Sequence, residues 1–285
     1  MAILEVNHST QYSYSEPIVL NDHLLRLVAT DNRSQKVISQ TVDVSPTPTR
    51  LFLETDNESY TCVKMNFTPI STTHLNINTR LMIDTTFPEL ERLDNLKSIS
   101  YHENTIAYLN ESPELQPFLL TTDSSQTLGN QVNRLLDLSD HHLGSFIFQL
   151  LKWAKATFVT EYREFGAARM SSDTLYSCQG TCRDIAVLVM DMLRIAGVPA
   201  GFVSGYYYDT SSYRETYDLH AWIQCYVPEL GWVGLDPGTG ECCSDKYIKL
   251  CSSFIPINCS PVDGTFMGSA SSTLKSCISI NSLPG

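Results

Sequence analysis

Positive charge is scarce in this chain. Its 285 residues hold 19 Lys and Arg against 31 Asp and Glu, a formal net charge of −12 at pH 7 with histidine neutral. A surface of that sign repels phosphate backbones and anionic headgroups, so neither nucleic acid nor an anionic membrane is expected as a partner. Long apolar runs are missing as well. None approaches the roughly 20 residues of a membrane-spanning helix. The opening, MAILEVNHSTQ, has no basic stretch leading into an apolar core, so no secretory leader is expected. Zinc-ligand spacing is absent from the cysteine-rich end. Cys242, Cys243, Cys251, Cys259 and Cys277 include no pair at C-x₂₋₄-C, and neither a structural metal nor any cofactor is expected.

What is present is ordinary globular material. An apolar fraction of 42% and this length suit one large or two ordinary domains with a sizeable core. The nine cysteines are an odd number, and a chain this long needs no disulfide staples. A reactive thiol works best in a reducing compartment, which makes the cytoplasm the expected location.

The stretch that organises the rest is SCQGTCRDIAVLVMDMLRIAGVP, residues 177–199. Ile185, Leu188, Val189, Met192, Leu193 and Ala196 recur at helical spacing and form one apolar face, with Asp191 and Arg194 on the other. Gly197 and Pro199 supply the stop. Gly180 permits a sharp turn just before the helix. Cys182 therefore falls at a helix N-terminus, where unpaired N–H groups and the helix dipole favour thiolate over thiol. Most cysteines only pack, and Cys178 competes with Cys182 on local sequence alone.

Downstream, AGFVSGYYY (200–208) reads as a strand, and 209–218 as a polar loop at the rim of a cleft. A second strand starts at His220, turns at Pro228–Gly231, and returns as WVGLDP, ending on Asp236. An antiparallel pair joined by so short a turn makes His220 and Asp236 cross-strand neighbours. A helix carrying Cys182 packed on that sheet would bring thiol, imidazole and carboxylate to one edge: a nucleophile, a base, and an orienter for the base.

These elements, GTCRD, then HAW, then LGWVGLDPGTG, resemble the core of the transglutaminase-like superfamily in its bacterial, papain-like branch. Matched residue by residue, the resemblance puts Cys182 on the nucleophile, His220 on the base and Asp236 on the orienting acid, and leaves Cys178 on no functional position. The segment NHSTQYSYSEPIVLNDHLLRL resembles the β-rich domain that precedes this core in bacterial members. The resemblance implies an α+β chain: an N-terminal antiparallel β-sandwich or barrel domain, then a papain-like core of helices on an antiparallel sheet.

In chain order, alternation to about Asp84 indicates strands, with Leu51–Thr55 and Tyr60–Phe67 flanking a turn at 56–58. His8, His23 and His74 are isolated there and read as surface or packing residues. Residues 88–123 read as a linker with short helices. Helical periods follow at Leu128, Val132, Leu135 and Leu136, then at Phe146, Leu150, Trp153 and Ala154. Adjacent His141 and His142 cannot face one another on a helix, so a loop or cap is expected there, not a metal pair. Tyr247–Cys251 and Ser276–Ile280 read as strands that extend the core sheet or return to the first domain. The division is 1–118 for the N-terminal domain with its linker and 119–285 for the core.

The expected chemistry is cysteine-dependent acyl transfer on an amide of a peptide or protein substrate, through a thioester. Water is the favoured acceptor, as in a protease or amidase, because bacterial members of the family are mostly regarded as proteases. An amine is the alternative acceptor, as in a transglutaminase. A non-catalytic binding protein on the same fold and a metal protein built on the C-terminal cysteines are the readings from other classes.

Overall fold

The computed structural model describes residues 3–55, 60–85, 112–140, 142–163, 166–209, 216–228 and 230–283. The turn expected at 56–58, most of the expected linker, His141 and the centre of the 209–218 loop lie outside them.

The N-terminal sheet is organised around β1 (Ile3–Leu25). Leu4, Val6, His8 and Thr10 are buried along it and alternate with more exposed Glu5, Asn7 and Ser9, the period-2 pattern of a sheet with one covered face. β2 (Lys36–Ser45), β3 (Arg50–Thr55), β4 (Thr61–Asn66) and β5 (Ser71–Asp84) complete the order β2-β5-β1-β4-β3, antiparallel throughout. β1 runs beside β5 from Ile3 to Ser13, shifts register before Ile18, and runs beside β4 from His23 to Leu25. That bend curls the sheet.

The helical layer comprises α1 (Gln126–Asp137), α2 (Leu143–Thr157), α3 (Ser171–Ser177) and α4 (Cys182–Ile195). His142 is the residue that begins α2, a cap position as expected. A two-residue parallel pair, β6 (Val159–Thr160) and β7 (Gln179–Gly180), ties the segment after α2 to the segment before α4. The second sheet has the order β11-β10-β9-β8-β12. Its strands are β8 (Ala200–Tyr207), β9 (His220–Val227), β10 (Gly231–Asp236), β11 (Glu241–Cys242) and β12 (Tyr247–Ser253). Leu128, Phe146, Leu150, Leu188 and Val189 pack with Ala221, Ile223 and Cys225 to form the core between helices and sheet.

Both destinations left open for the C-terminal strands are used. β12 extends the second sheet beside β8, whereas β13 (Val262–Met267) and β14 (Ser272–Leu283) return to β1. The two sheets also share a core, in which Leu4, Leu75 and Leu81 pack with Tyr206, Ile248 and Leu250. His8 is a packing residue at this junction. Its Nδ1 lies 2.9 Å from the Tyr206 hydroxyl and its Nε2 3.0 Å from Ser276 Oγ, and burial pushes its pKa down to about 4.

α4 departs from the two-faced helix its spacing suggests. Every residue from Asp184 to Arg194 is buried. An unpaired buried charge would cost several kcal/mol, so the polar side must find partners inside the protein. Asp191 accepts from Thr122 N (2.9 Å), Thr122 Oγ1 (2.6 Å) and Ser171 Oγ (2.7 Å). Arg194 donates to the carbonyls of Leu120, Ala200 and Phe254 at 2.6–3.0 Å. The helix ends as its glycine predicts. Gly197 (φ 79°) donates to Arg194 O and Val198 to Leu193 O, both at 2.9 Å, which makes a Schellman motif.

Candidate active site

The site is built on the N-terminus of α4. Thr181 caps it, accepting from Asp184 N, while the Asp184 carboxylate accepts from Thr181 N at 2.8 Å, a capping box. Cys182 is thus the first helical residue, and its N–H is among those without an intrahelical partner. Asp184 does more than cap. It accepts a bidentate pair from Arg163 (2.9 and 2.8 Å) and a third bond from Arg169 N (2.8 Å). Its pKa is lowered: burial opposes ionisation, and Arg163 with the two backbone N–H groups outweighs it. Arg163 and Arg169 are therefore pinned beside the nucleophile.

Gly180 serves space, not a turn. Its φ lies outside the left-handed region, and a Cβ there would meet Asp184 Cβ at 2.8 Å and Thr174 Cγ2 at 3.3 Å. The sharp turn falls two residues earlier, on exposed Cys178, which ends α3 at φ 52°.

His220 and Asp236 come together as the hairpin requires. β9 and β10 pair from Gly231↔Val227 to Leu235↔Ile223. Continuing that register sets Asp236 level with Trp222, on the face that also carries His220. His220 Nε2 donates to Asp236 Oδ2 at 2.8 Å. Nδ1 is then the ring nitrogen left for Cys182, whose side chain is near enough to help raise the imidazole pKa. Of the three residues singled out by the sequence, His220 and Asp236 are in direct contact, and Cys182 lies close enough to act on the imidazole.

The charges within it are unequal in setting. Asp236 is 1% exposed, and its other oxygen accepts from Gly238 N at 2.8 Å. Its pKa is lowered because His220 and the surrounding donors overcome the cost of burial. His220 shifts the other way. Burial disfavours the imidazolium, but the Asp236 carboxylate, helped by Cys182, pushes the pKa up to about 10. The imidazole is therefore protonated at neutral pH. Three aromatic rings surround it, with centroids at 5.6 Å (Tyr207), 6.0 Å (Trp222) and 6.4 Å (Tyr247). Trp222 is buried beneath the imidazole and Gln179 is exposed on β7.

Sequence reasoning missed Tyr247. Its hydroxyl donates to Asp236 Oδ2 at 2.9 Å, the same oxygen that receives His220. Burial and the neighbouring carboxylate raise its pKa, so it remains a donor. Nothing in its strand sequence marks it, since β12 reaches the site only by pairing with β8. Tyr247→Phe removes one charge-assisted bond and leaves the Asp236 charge to the imidazolium. A stability loss of about 1.5–3 kcal/mol in urea melts is expected, with His220 titrating at higher pH by NMR. An unchanged midpoint and titration would mean the bond carries nothing.

Residues 133–237 match the model of the transglutaminase-like superfamily, and residues 4–84 that of the bacterial transglutaminase-like N-terminal region. An uncharacterised protein of Mycobacterium leprae is 25% identical over 289 residues, covering 98% of this chain and 99% of its own length. A protein-glutamine gamma-glutamyltransferase of Pseudomonas aeruginosa is 36% identical over 64 residues, which is 20% of this chain and 10% of that enzyme. Among solved structures, a candidate cysteine protease from Cytophaga hutchinsonii aligns over 100% of this chain and 92% of its own, with a TM-score of 0.75 at 17% identity. The papain-like fold, N-terminal sheet included, is common to both.

Proposed function

The chain belongs to the transglutaminase-like superfamily and carries that family's bacterial N-terminal region, and from this premise we propose that it hydrolyses amide bonds in a peptide or protein through a Cys182 thioester. The observation that carries the proposal is the 2.8 Å His220–Asp236 pair, with buried, ionised Asp236, beside a thiol at a helix N-terminus. His220 takes the Cys182 proton, and the thiolate of the resulting ion pair attacks the carbonyl carbon. The N–H of Cys182 donates to the developing oxyanion. His220 then protonates the leaving amine, the C–N bond breaks, and a thioester remains. Water attacks it, gives its proton to His220, and releases the acid and the thiolate. Asp236 holds the imidazole in the tautomer and orientation both halves require.

Amine transfer is the second reading, favoured by the 64-residue match to a glutamyltransferase. It uses the same acyl-enzyme with an amine in place of water. A reducing compartment preserves a thiolate nucleophile, and the proposal includes a cytoplasmic setting.

The test is a peptide library incubated with and without a primary amine and read by mass spectrometry. Backbone cleavage is expected, unaffected by the amine and absent from Cys182→Ala. Amine adducts on glutamine without cleavage would replace hydrolysis by the second reading. No product from wild-type protein, with Cys182 unreactive, would remove both.

A further inference from the structure

β3 ends the N-terminal sheet: β4 pairs with one edge and, among the described residues, no strand pairs with the other. Sheet edges are ordinarily blunted by lysine, proline or a bulge. This one carries Leu51, Phe52 and Leu53 in succession, exposed by 43%, 43% and 61%. Leu51 stands opposite Met65 and Leu53 opposite Val63, which are 0% and 1% exposed. Residues opposite one another share a face, so the two leucines carry the core-facing surface one strand beyond the point where the core stops. One more strand on this edge would cover them and pair with the N–H and C=O groups that β3 directs away from β4.

We propose that the occupant is β3 of a second copy of this chain, paired antiparallel about a two-fold axis at Phe52. Charge complementarity selects this occupant and its register. In that register Arg50 of each copy stands opposite Glu54 of the other, Leu51 opposite Leu53, and Phe52 opposite Phe52. Moving the axis half a residue either way sets Glu54 against Leu51 or Thr49, and Arg50 against Thr55 or Leu53. Only the register centred on Phe52 matches the two charges with each other. Glu54, which Lys64 already approaches to 3.6 Å, would then lie between two cations. The contact is isologous and closes on itself, so it yields a dimer and no fibre. A six-residue edge is a small interface, and the dimer is expected to be reversible and concentration-dependent. This inference is independent of the chemistry at Cys182.

Sedimentation velocity of the full chain from low to high micromolar concentration is the test, with far-UV circular dichroism to verify folding. Wild type is expected to pass from monomer to dimer. Arg50→Glu and Glu54→Arg each place like charges opposite one another and are expected to weaken dimerisation by about tenfold or more. The double variant, Arg50→Glu with Glu54→Arg, restores the pairing and is expected to dimerise again. A chain monomeric throughout the range overturns the proposal, as does a dimer indifferent to both single changes or a double variant that stays as weak as the singles.

Discussion

Iodoacetamide is expected to modify Cys182 at pH 6 at least about tenfold faster than exposed Cys178, and His220→Ala is expected to abolish that advantage. The two thiols make a comparison within one molecule, because both are free and lie four residues apart. Ordinary thiols are almost wholly protonated at pH 6. Cys178 is exposed at the end of α3, and its Sγ contacts Leu175 O. Cys182 has the protonated His220 against it and the start of α4 behind it. Labelling sites are read by mass spectrometry. Equal rates at the two cysteines, or an advantage that survives His220→Ala, would mean that the imidazolium does not set the reactivity of Cys182.

The same pair fixes the expected pH limits. The pKa of His220 is raised on folding, so its contribution to stability is complete below the unfolded histidine range and is lost as pH rises through about 10. The pKa of Asp236 is lowered, so its contribution is present above the usual carboxylate range and is lost as pH falls through its depressed value. The interaction is thus strongest between the two ranges. Turnover is expected to fall on the alkaline side near pH 10, where His220 loses the proton that the leaving amine needs. Replacing Cys182 should cost about 10⁴-fold or more in rate, since removing a nucleophile leaves only binding and the oxyanion donor.

Much of this site was legible from one sequence because its geometry is local. His220 and Asp236 are joined by a single hairpin, and Cys182 is set by its own helix cap, but the preference for Cys182 over Cys178 comes from the family resemblance and not from short-range rules. The unread parts have distant causes. Asp191 and Arg194 look like a solvated helix face, yet Thr122, Leu120, Ser171 and Phe254 cover them. Tyr247 joins Asp236 only because β12 crosses to the far side of β8. The return of β14 to the first sheet is one of the two destinations the sequence leaves open, but its register on β1, Ile3↔Leu283 to Tyr14↔Ser272, is not legible there. Gly180 reads as a turn residue in the sequence and provides clearance in the fold, since the two demands select the same residue and differ only in what stands opposite.

Gly205 makes that second demand in its strongest form, and Gly205→Ala is expected to cost more than about 3 kcal/mol and to abolish the reactivity of Cys182. Gly205 stands directly across from His220 in the ladder. A Cβ there would overlap the Ile248 carbonyl oxygen and the outer edge of the Trp222 ring. The carbonyl belongs to β12, which pairs with β8 along its length, so it can retreat only by opening the sheet. The ring packs against His220 at 6.0 Å and Tyr247 at 5.4 Å between centroids, so a shift of the ring is transmitted to them. Either movement displaces the imidazole or the Tyr247–Asp236 bond. Gly129 in α1 supplies the opposite case, with nothing within 4 Å of its Cβ position. Gly129→Ala is expected to stabilise by about 0.5–1 kcal/mol, the ordinary helix-propensity gain. Urea melts and iodoacetamide labelling of both variants read the contrast directly. A Gly205→Ala protein with the wild-type midpoint and a reactive Cys182 would show that the strands behind His220 are not packed this closely.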